Sequence, residues 1–282
     1  MKYSVTSVIL PELDVSETCA LLQELGYDGI EWRVRFTPEE VVGQGYDMWG
    51  EHKTDLSPAN LARKAHEVSR ITAEHGLEIP AIAANLRCDE LDEIRRLADG
   101  VALLGPIPIR LAAPSGYERS ANYNDLYARA VDAYGQALEV LQPYGIRCLL
   151  EIHGGTLLPS ASLAYRLASN FQPEALGVIY DVNNMAKDGF ETFRLGMELL
   201  GPYLQHCHAG GWKPVPGEPD EKGTVPWTYD GCDLAESILD IPQFISDLKA
   251  VGYRGFISIE DFRAMEPREK LKRQLDYLKS LE

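Results

Sequence analysis

Short apolar runs rich in Val, Ile and Leu alternate along this chain with longer segments that have the hydrophobic period of an amphipathic helix. The apolar runs predict eight strands, at Tyr3–Leu10, Gly29–Arg35, Ile79–Leu86, Ile107–Pro114, Arg147–His153, Leu176–Val182, Leu204–Ala209 and Gly255–Phe262. The periodic segments predict eight helices, at about 14–25, 58–75, 89–104, 123–143, 160–170, 189–200, 241–251 and 265–281. This alternation is typical of parallel strands joined by crossover helices, and eight repeats favour closure into a single (β/α)8 TIM barrel.

The length of the chain agrees with this architecture. It has 282 residues, and a barrel of this kind needs roughly 250, so we expect one domain over residues 1–282. Residues 210–233 interrupt the alternation, because they contain four prolines and have no clear periodicity. We expect a long loop over about 210–240, after the seventh strand, either as a functional loop at the active-site face or as a plain surface excursion.

Composition excludes several classes of protein. The net charge is −16, from 43 acidic and 27 basic residues, and a field of that sign repels nucleic acids. The five cysteines are odd in number and form no CxxC pair, so we expect neither a disulfide framework nor a zinc–cysteine site. No apolar stretch is long enough for a membrane helix, and the N-terminus lacks the features of a signal peptide, so we expect a cytoplasmic protein.

Candidate chemistry lies at the ends of the last four predicted strands. Each of these apolar strands ends in a residue type that binds metals, and such a group must be solvated, paired or bound to a cation. Neighbouring strand ends converge at the C-terminal mouth of a barrel. The residues concerned are Glu151 with His153, Asp181, His206 with His208, and Glu260.

Three carboxylates and one imidazole make a mainly oxygen donor set, which suits Mn²⁺, Mg²⁺ or Co²⁺; Zn²⁺ is also compatible. Taken alone, an acidic residue at a strand end is as often a helix N-cap or a loop anchor. His52, His66 and His75 receive no role, and neither do Arg33, Asn85 and Arg110 near other strand ends. The joint pattern over four consecutive strands is what favours a metal site.

The order of these motifs resembles the xylose isomerase-like barrel superfamily, and in particular its branch of sugar isomerases and ketose 3-epimerases. The resembling features are Glu151, Asp181 with Asn184, the His206-x-His208 pair, and Glu260 after Gly252-Tyr253-Arg254-Gly255. Gly26-Tyr27-Asp28-Gly29-Ile30-Glu31 at the second strand also resembles the family. The likeness spans nearly the whole chain.

The resemblance implies roles for these residues. The metal ligands would be Glu151, Asp181, His208 and Glu260, around one divalent ion that we expect to be Mn²⁺. Glu151 and Glu260 would also move the proton, one on each side of the substrate carbon. His153, Asn184, His206 and Lys213 are the expected substrate-binding residues, with His206 in a supporting position and Trp212 as the alternative to Lys213. Asn184 stands where ketose epimerases commonly have His, which leaves the substrate open.

The sequence thus predicts a metal-dependent isomerase or epimerase of a small sugar, acting through a metal-stabilised enediolate. A lyase or dehydratase on the same scaffold needs the same metal and base and stays as an alternative. An abasic-site endonuclease shares the barrel, but the acidic charge opposes DNA binding. A metal-free barrel for binding or assembly is the remaining class. We expect a small carbohydrate as the partner, no nucleic acid and no membrane, and leave open whether the chain forms a homo-oligomer.

Overall fold

The computed structural model describes residues 1–282 and shows a closed barrel of eight parallel strands. The barrel strands are β1 (Lys2–Thr6), β2 (Gly29–Val34), β3 (Ile82–Ala84), β4 (Ile109–Arg110), β5 (Cys148–Glu151), β6 (Leu176–Asp181), β7 (Leu204–Ala209) and β10 (Phe256–Ile259). They follow one another around the barrel in the order β1-β10-β7-β6-β5-β4-β3-β2. The predicted (β/α)8 TIM barrel is therefore confirmed.

Nine α-helices connect and follow these strands. They are α1 (Val15–Leu25), α2 (Leu61–Glu74), α3 (Leu91–Ala102), α4 (Tyr123–Leu141), α5 (Ala161–Ala168), α6 (Val182–Asp188), α7 (Phe193–Leu200), α8 (Ile241–Ala250) and α9 (Pro267–Ser280). The prediction missed α6, which begins directly after β6. Gly189 separates α6 from α7, and a Cβ at Gly189 would lie 1.6 Å from the carbonyl oxygen of Pro159, so the chain needs glycine there. No helix of the chain is long and apolar enough to cross a membrane.

Several predicted strands are shorter in the structure. β1 ends at Thr6 and passes into a 3₁₀ turn over Ser7–Ile9, where the Ser7 hydroxyl accepts a hydrogen bond from the main-chain N–H of Arg33. β4 keeps only Ile109–Arg110 of the predicted Ile107–Pro114. Prolines at 106, 108 and 114 flank it, and proline cannot donate to the strand ladder.

The sequence predicted a long loop after β7, but part of this segment is regular. It forms an antiparallel hairpin of β8 (Gly211–Pro216) and β9 (Trp227–Cys232) that stands apart from the barrel sheet. Pro214 and Pro216 occupy alternate positions of β8. A two-stranded ribbon tolerates this, because only every second residue donates a hydrogen bond to the partner strand.

Part of the barrel interior below its C-terminal mouth is apolar. Ala81, Leu149 and Ile179 form a small buried cluster. Side chains two residues apart on a strand share a face, so Glu151 on β5 and Asp181 on β6 lie one layer above Leu149 and Ile179. The apolar layer thus supports a polar layer at the mouth.

Candidate metal centre

Four predicted residues meet at the barrel mouth. One ligand atom from each of Glu151, Asp181, His208 and Glu260 lies within 4.8 Å of the corresponding atoms of the other three. Asp181 and His208 are paired in register on β6 and β7, Glu151 ends β5, and Glu260 directly follows β10. All but Glu260 are buried, and its side chain is 12 % exposed.

The His208 imidazole lies at the centre of this cluster. Its Nδ1 atom is 2.9 Å from Glu151 Oε1, 3.5 Å from Glu260 Oε1 and 3.9 Å from Asp181 Oδ2. Burial lowers the pKa of His208, but the carboxylates of Glu260 and Glu31 outweigh this and hold it well above its ordinary value. Nδ1 is the ring nitrogen that faces Glu151, Glu260 and Asp181.

A fifth residue, Glu31 on β2, fixes that orientation. Glu31 Oε2 lies 3.1 Å from Nε2 of His208 and 3.0 Å from Nε2 of His206. Burial raises the pKa of Glu31, but the charges of His208 and His206 lower it well below its ordinary value. An ionised Glu31 accepts from both Nε2–H groups, so Nδ1, which lies 2.9 Å from Glu151 Oε1, is the His208 atom that would bind a metal once its proton is displaced.

Glu31 is not among the site residues that the sequence predicted. The available signal was a carboxylate inside an otherwise apolar strand, in the Gly-Tyr-Asp-Gly-Ile-Glu motif. Glu31, His206 and His208 also bring three ligand atoms within 4.8 Å of one another. These atoms are already joined by hydrogen bonds, so we interpret this group as a support for His208.

Asp181 has a double structural role. It caps α6, with its Oδ1 accepting from the main-chain N–H of Asn183 at 2.7 Å and of Asn184 at 3.0 Å. The Asn184 side chain donates to Asp181 Oδ2. Burial and the nearby charge of Glu151 raise the pKa of Asp181. Asp181 is thus a helix N-cap, as acidic residues at strand ends often are, and this role is compatible with its place in the cluster.

Arg110 holds Glu151 in place. Its Nε donates to Glu151 Oε2 at 2.8 Å, its Nη2 donates to the same oxygen, and its Nη1 donates to the Ala84 carbonyl at 3.0 Å. Burial raises the pKa of Glu151, but Arg110 and His208 lower it to about 2. Glu151 is therefore ionised and fixed in orientation.

Glu260 has no such arginine. Burial raises its pKa most, the His208 charge opposes this, and the charges of Asp181 and Glu151 raise it further, to about 8. The cluster therefore holds more carboxylates than its own cationic groups readily keep ionised. Carboxylates crowded in this way are a donor set that a cation would stabilise.

The donor set fits a single divalent ion. Oxygen and nitrogen ligands lie about 2.0–2.3 Å from Mn²⁺, Mg²⁺ or Zn²⁺-sized ions, so two ligands on opposite sides are about 4 to 4.6 Å apart. The four ligand atoms, all within 4.8 Å of one another, match that spacing. The expected ligands Glu151, Asp181, His208 and Glu260 are thus the residues that the structure brings together.

A cavity of about 370 Å³ opens beside the cluster. His153 and Asn184, two of the predicted substrate-binding residues, line it. The other two do not. His206 is buried behind the cluster against Glu31, and Lys213 is exposed on β8, opposite Asp230 in the hairpin. Trp212, the predicted alternative to Lys213, lines the cavity, with Lys187 Nζ 3.6 Å from the centre of its ring.

The opposite wall of the cavity is basic and aromatic. Arg33 and Arg35, on and just beyond β2, line it together with Trp49 and Phe262. The rings of Trp49 and Phe262 stack with their centroids 5.4 Å apart. Burial, together with the nearby charge of Arg35, lowers the pKa of Arg33 to about 9.

Residues 19–281 match the model of the xylose isomerase-like TIM barrel family. The chain belongs to this family. No curated protein matches the chain by sequence.

Several solved structures of low sequence identity have the same fold as this chain. The apo form of 3-keto-D-glucoside 4-epimerase from E. coli aligns with this chain at a TM-score of 0.71 and 16% identity, and the alignment covers 99% of each chain. The probable 3-DHS dehydratase AsbF from Bacillus anthracis has a TM-score of 0.72 and 16% identity, again over 99% of each chain. The IOLI protein with a binding zinc atom has a TM-score of 0.71 and 17% identity, over 100% of this chain and 96% of that one.

Gly210, just after β7, packs against the main chain of Glu260 in this xylose isomerase-like barrel. A Cβ there would lie 2.3 Å from the Glu260 carbonyl oxygen and 2.7 Å from Asn183 Nδ2. We predict that Gly210→Ala lowers the free energy of unfolding by about 1–3 kcal/mol, because the main chain beside Glu260 must move. Denaturant unfolding followed by circular dichroism measures this.

Gly135 provides the matched control. It lies inside α4, and an added Cβ would meet Phe171 Cε1 at an ordinary 3.8 Å. Gly135→Ala should therefore raise the free energy of unfolding by about 0.5–1 kcal/mol. Equal stability of the Gly210→Ala variant and the unmodified protein would contradict the close contact described at Glu260.

Proposed function

We propose that this protein is a metal-dependent isomerase or epimerase of a small sugar or sugar derivative. The observation that supports this best is the convergence of Glu151, Asp181, His208 and Glu260 within 4.8 Å, beside a cavity of about 370 Å³. Small-molecule sites are concave and carry a few convergent polar groups, as this one does. The similar solved structures include a sugar epimerase, although their low identity supports the fold alone.

Glu151, Asp181, His208 and Glu260 are the proposed ligands of one divalent ion, with Mn²⁺ as the first choice for the mainly oxygen donor set. When bound, the ion supplies a Lewis acid for a substrate carbonyl oxygen and the adjacent hydroxyl. Glu31 and His206 act behind it, since Glu31 orients the His208 ring through the 3.1 Å contact at Nε2.

Glu151 and Glu260 are the proposed proton-transfer groups. They come from strands on either side of β6 and β7, so they approach a substrate in the mouth from different directions. One carboxylate removes the proton beside the substrate carbonyl, and a carboxylate returns it. Return to the opposite face inverts the carbon, and return to the neighbouring carbon gives an isomer. Arg110 limits the movement of Glu151, which helps to keep the carboxylate aligned.

His153 and Asn184 are the proposed substrate contacts among the predicted residues, because both line the cavity. Asn184 Oδ1 accepts from the Gly154 main-chain N–H at 3.2 Å, which fixes its amide beside Asp181. His206 contributes through Glu31 and not by contact with substrate. The lysine that lines the cavity is Lys187, whereas the sequence had predicted Lys213.

We predict about one divalent ion per chain in protein prepared without chelators, measured by elemental analysis. Glu151→Gln and Glu260→Gln should each lose most of the metal and the activity, because each removes a charged ligand. Glu139→Gln, on the exposed face of α4, removes the same charge away from the site and should change neither. Full metal content and turnover in both site variants would refute the assigned roles.

The reaction itself can be followed by proton NMR in D₂O with a panel of sugars and hydroxy-ketones as substrates. Deuterium at the reacting carbon together with an isomeric product is the result expected for an isomerase or epimerase. Loss of water from the substrate without an isomeric product would replace the proposal with a dehydratase. Glu260→Gln and Glu139→Gln serve as the inactive and active controls.

Glu31→Gln tests the positioning of His208. The variant weakens the partner that fixes the His208 ring, so metal affinity should fall by about 10- to 100-fold, as is usual for partners behind a metal ligand. Competition with a metal-binding dye measures the affinity, with Glu139→Gln as the matched control. An unchanged affinity would show that Glu31 does not orient the ligand.

A further inference from the structure

Three charged residues follow one another on the inward face of β2 and its extension. Glu31, Arg33 and Arg35 all line the cavity. Side chains two residues apart on a strand share a face, and their Cα atoms are separated by roughly 6.6 Å. The two arginines therefore lie one and two layers further toward the mouth than Glu31, which contacts the proposed ligand His208.

Neither arginine has an acidic partner. No carboxylate oxygen lies within the 4.0 Å ion-pair distance of either guanidinium, whereas Arg110 in the same cavity is paired with Glu151. Arg33 is only 2% exposed. Burial and the nearby charge of Arg35 lower the pKa of Arg33, whereas burial and the charge of Arg110 lower the pKa of Arg35 and Asp47 raises it. These cations lie together in a chain whose net charge is −16.

Most of the hydrogen-bonding capacity of these arginines is unused. A guanidinium has five N–H donors. The only side-chain hydrogen bond of Arg33 runs from Nη2 to the Gly50 carbonyl at 2.7 Å, and the only one of the Arg35 side chain runs from Nη2 to the Met48 carbonyl at 3.0 Å. The Nε atoms of both are buried without a partner.

The contacts with Gly50 and Met48 do not account for the charge. A main-chain carbonyl needs one donor, and a neutral side chain would supply it at a lower cost of burial. A buried cation without a partner is costly, and an anion in the cavity would offset that cost. Arginine also binds carboxylate and phosphate oxygens in a bidentate manner, which strengthens and orients the contact.

We propose that Arg33 and Arg35 form an oxyanion subsite, and that the substrate is a small sugar derivative with a carboxylate or phosphate group. The proposal rests on the proposed function, since the other end of the same molecule would lie at the metal centre. An anionic group is repelled by the acidic cluster and attracted by the two arginines. The substrate is thereby bound in one direction, with its reacting carbon toward Glu151 and Glu260.

Three probes without a carbonyl group, which the enzyme cannot turn over, test this. They are D-glucitol as the neutral reference, D-gluconate as the carboxylate and D-glucitol 6-phosphate as the phosphate. Each is titrated calorimetrically into the Mn²⁺-loaded protein. At least one anionic probe should bind at least about tenfold more tightly than glucitol, as expected for a charge-assisted contact. The tighter of the two anions identifies the group that the subsite takes.

Arg35→Gln should reduce the affinity for that anion by about tenfold or more and leave glucitol within about twofold. Arg35→Lys, which keeps the charge but not the planar fork, should recover part of the loss. The matched control is Arg95→Gln on the exposed face of α3, where Arg95 pairs with Asp92, and it should change nothing. The retained glucitol affinity shows that the Arg35→Gln protein is folded.

Anion affinities within about twofold of glucitol, absent anion binding, or an anion preference that survives Arg35→Gln would each overturn the subsite. These results would leave metal stoichiometry and the Glu260→Gln comparison untouched, so failure of the subsite is distinguishable from failure of the proposed function. The converse also holds, because loss of metal would appear in the elemental analysis of the unmodified protein.

Discussion

The crowding of buried carboxylates around one imidazole is the constraint on which the rest of the site depends. Three carboxylates lie within 4 Å of His208 Nδ1, and a fourth contacts its Nε2. Burial in an apolar barrel makes such charges costly unless each is paired or bound. Specific contacts reduce that cost for Glu151, Asp181 and Glu31. Arg110 forms an ion pair with Glu151, and main-chain N–H groups at the start of α6 donate to Asp181. Glu31 accepts hydrogen bonds from His206 and His208.

The barrel explains why these groups can meet at all. Parallel strands end at one rim, and the period of two on each strand places alternate side chains in the interior. Apolar side chains such as Leu149 and Ile179 fill part of the layer below, where His206 lies in register with Ile179. Because residue 210 is glycine, the chain just after β7 can pass close to the main chain of Glu260, where a larger residue would collide. The same geometry that fixes the acidic centre places Arg33 and Arg35 across the cavity from it.

The sequence predicted the features that depend on regular patterns. Alternating apolar runs and helical periods gave the barrel, and a ligand-type residue at four consecutive strand ends gave the cluster. Strand limits were less predictable, because proline positions around β4 and the turn after β1 cut ladders that apolar content alone would continue. The hairpin of β8 and β9 was missed because its stability depends on cross-strand pairing between residues that are distant in sequence.

The partners of the cluster were missed for a related reason. Glu31 and His206 are 175 residues apart, and nothing local marks them as neighbours. Arg33, Asn85 and Arg110 lie near strand ends and were left without a role, although all three line the cavity. Lys213 was chosen from its position after β7, but hairpin pairing turns it to solvent and leaves Trp212 at the cavity. Side-chain direction in a twisted hairpin is a tertiary property that sequence spacing does not supply.

The most direct test of the central claim is anomalous X-ray diffraction from crystals grown with MnCl₂ and without chelators, recorded on both sides of the manganese absorption edge. The account predicts one strong anomalous peak between Glu151, Asp181, His208 and Glu260, at about 2.0–2.3 Å from a ligand atom of each. A map without a peak at that position, with the four side chains turned away from one another, would contradict it.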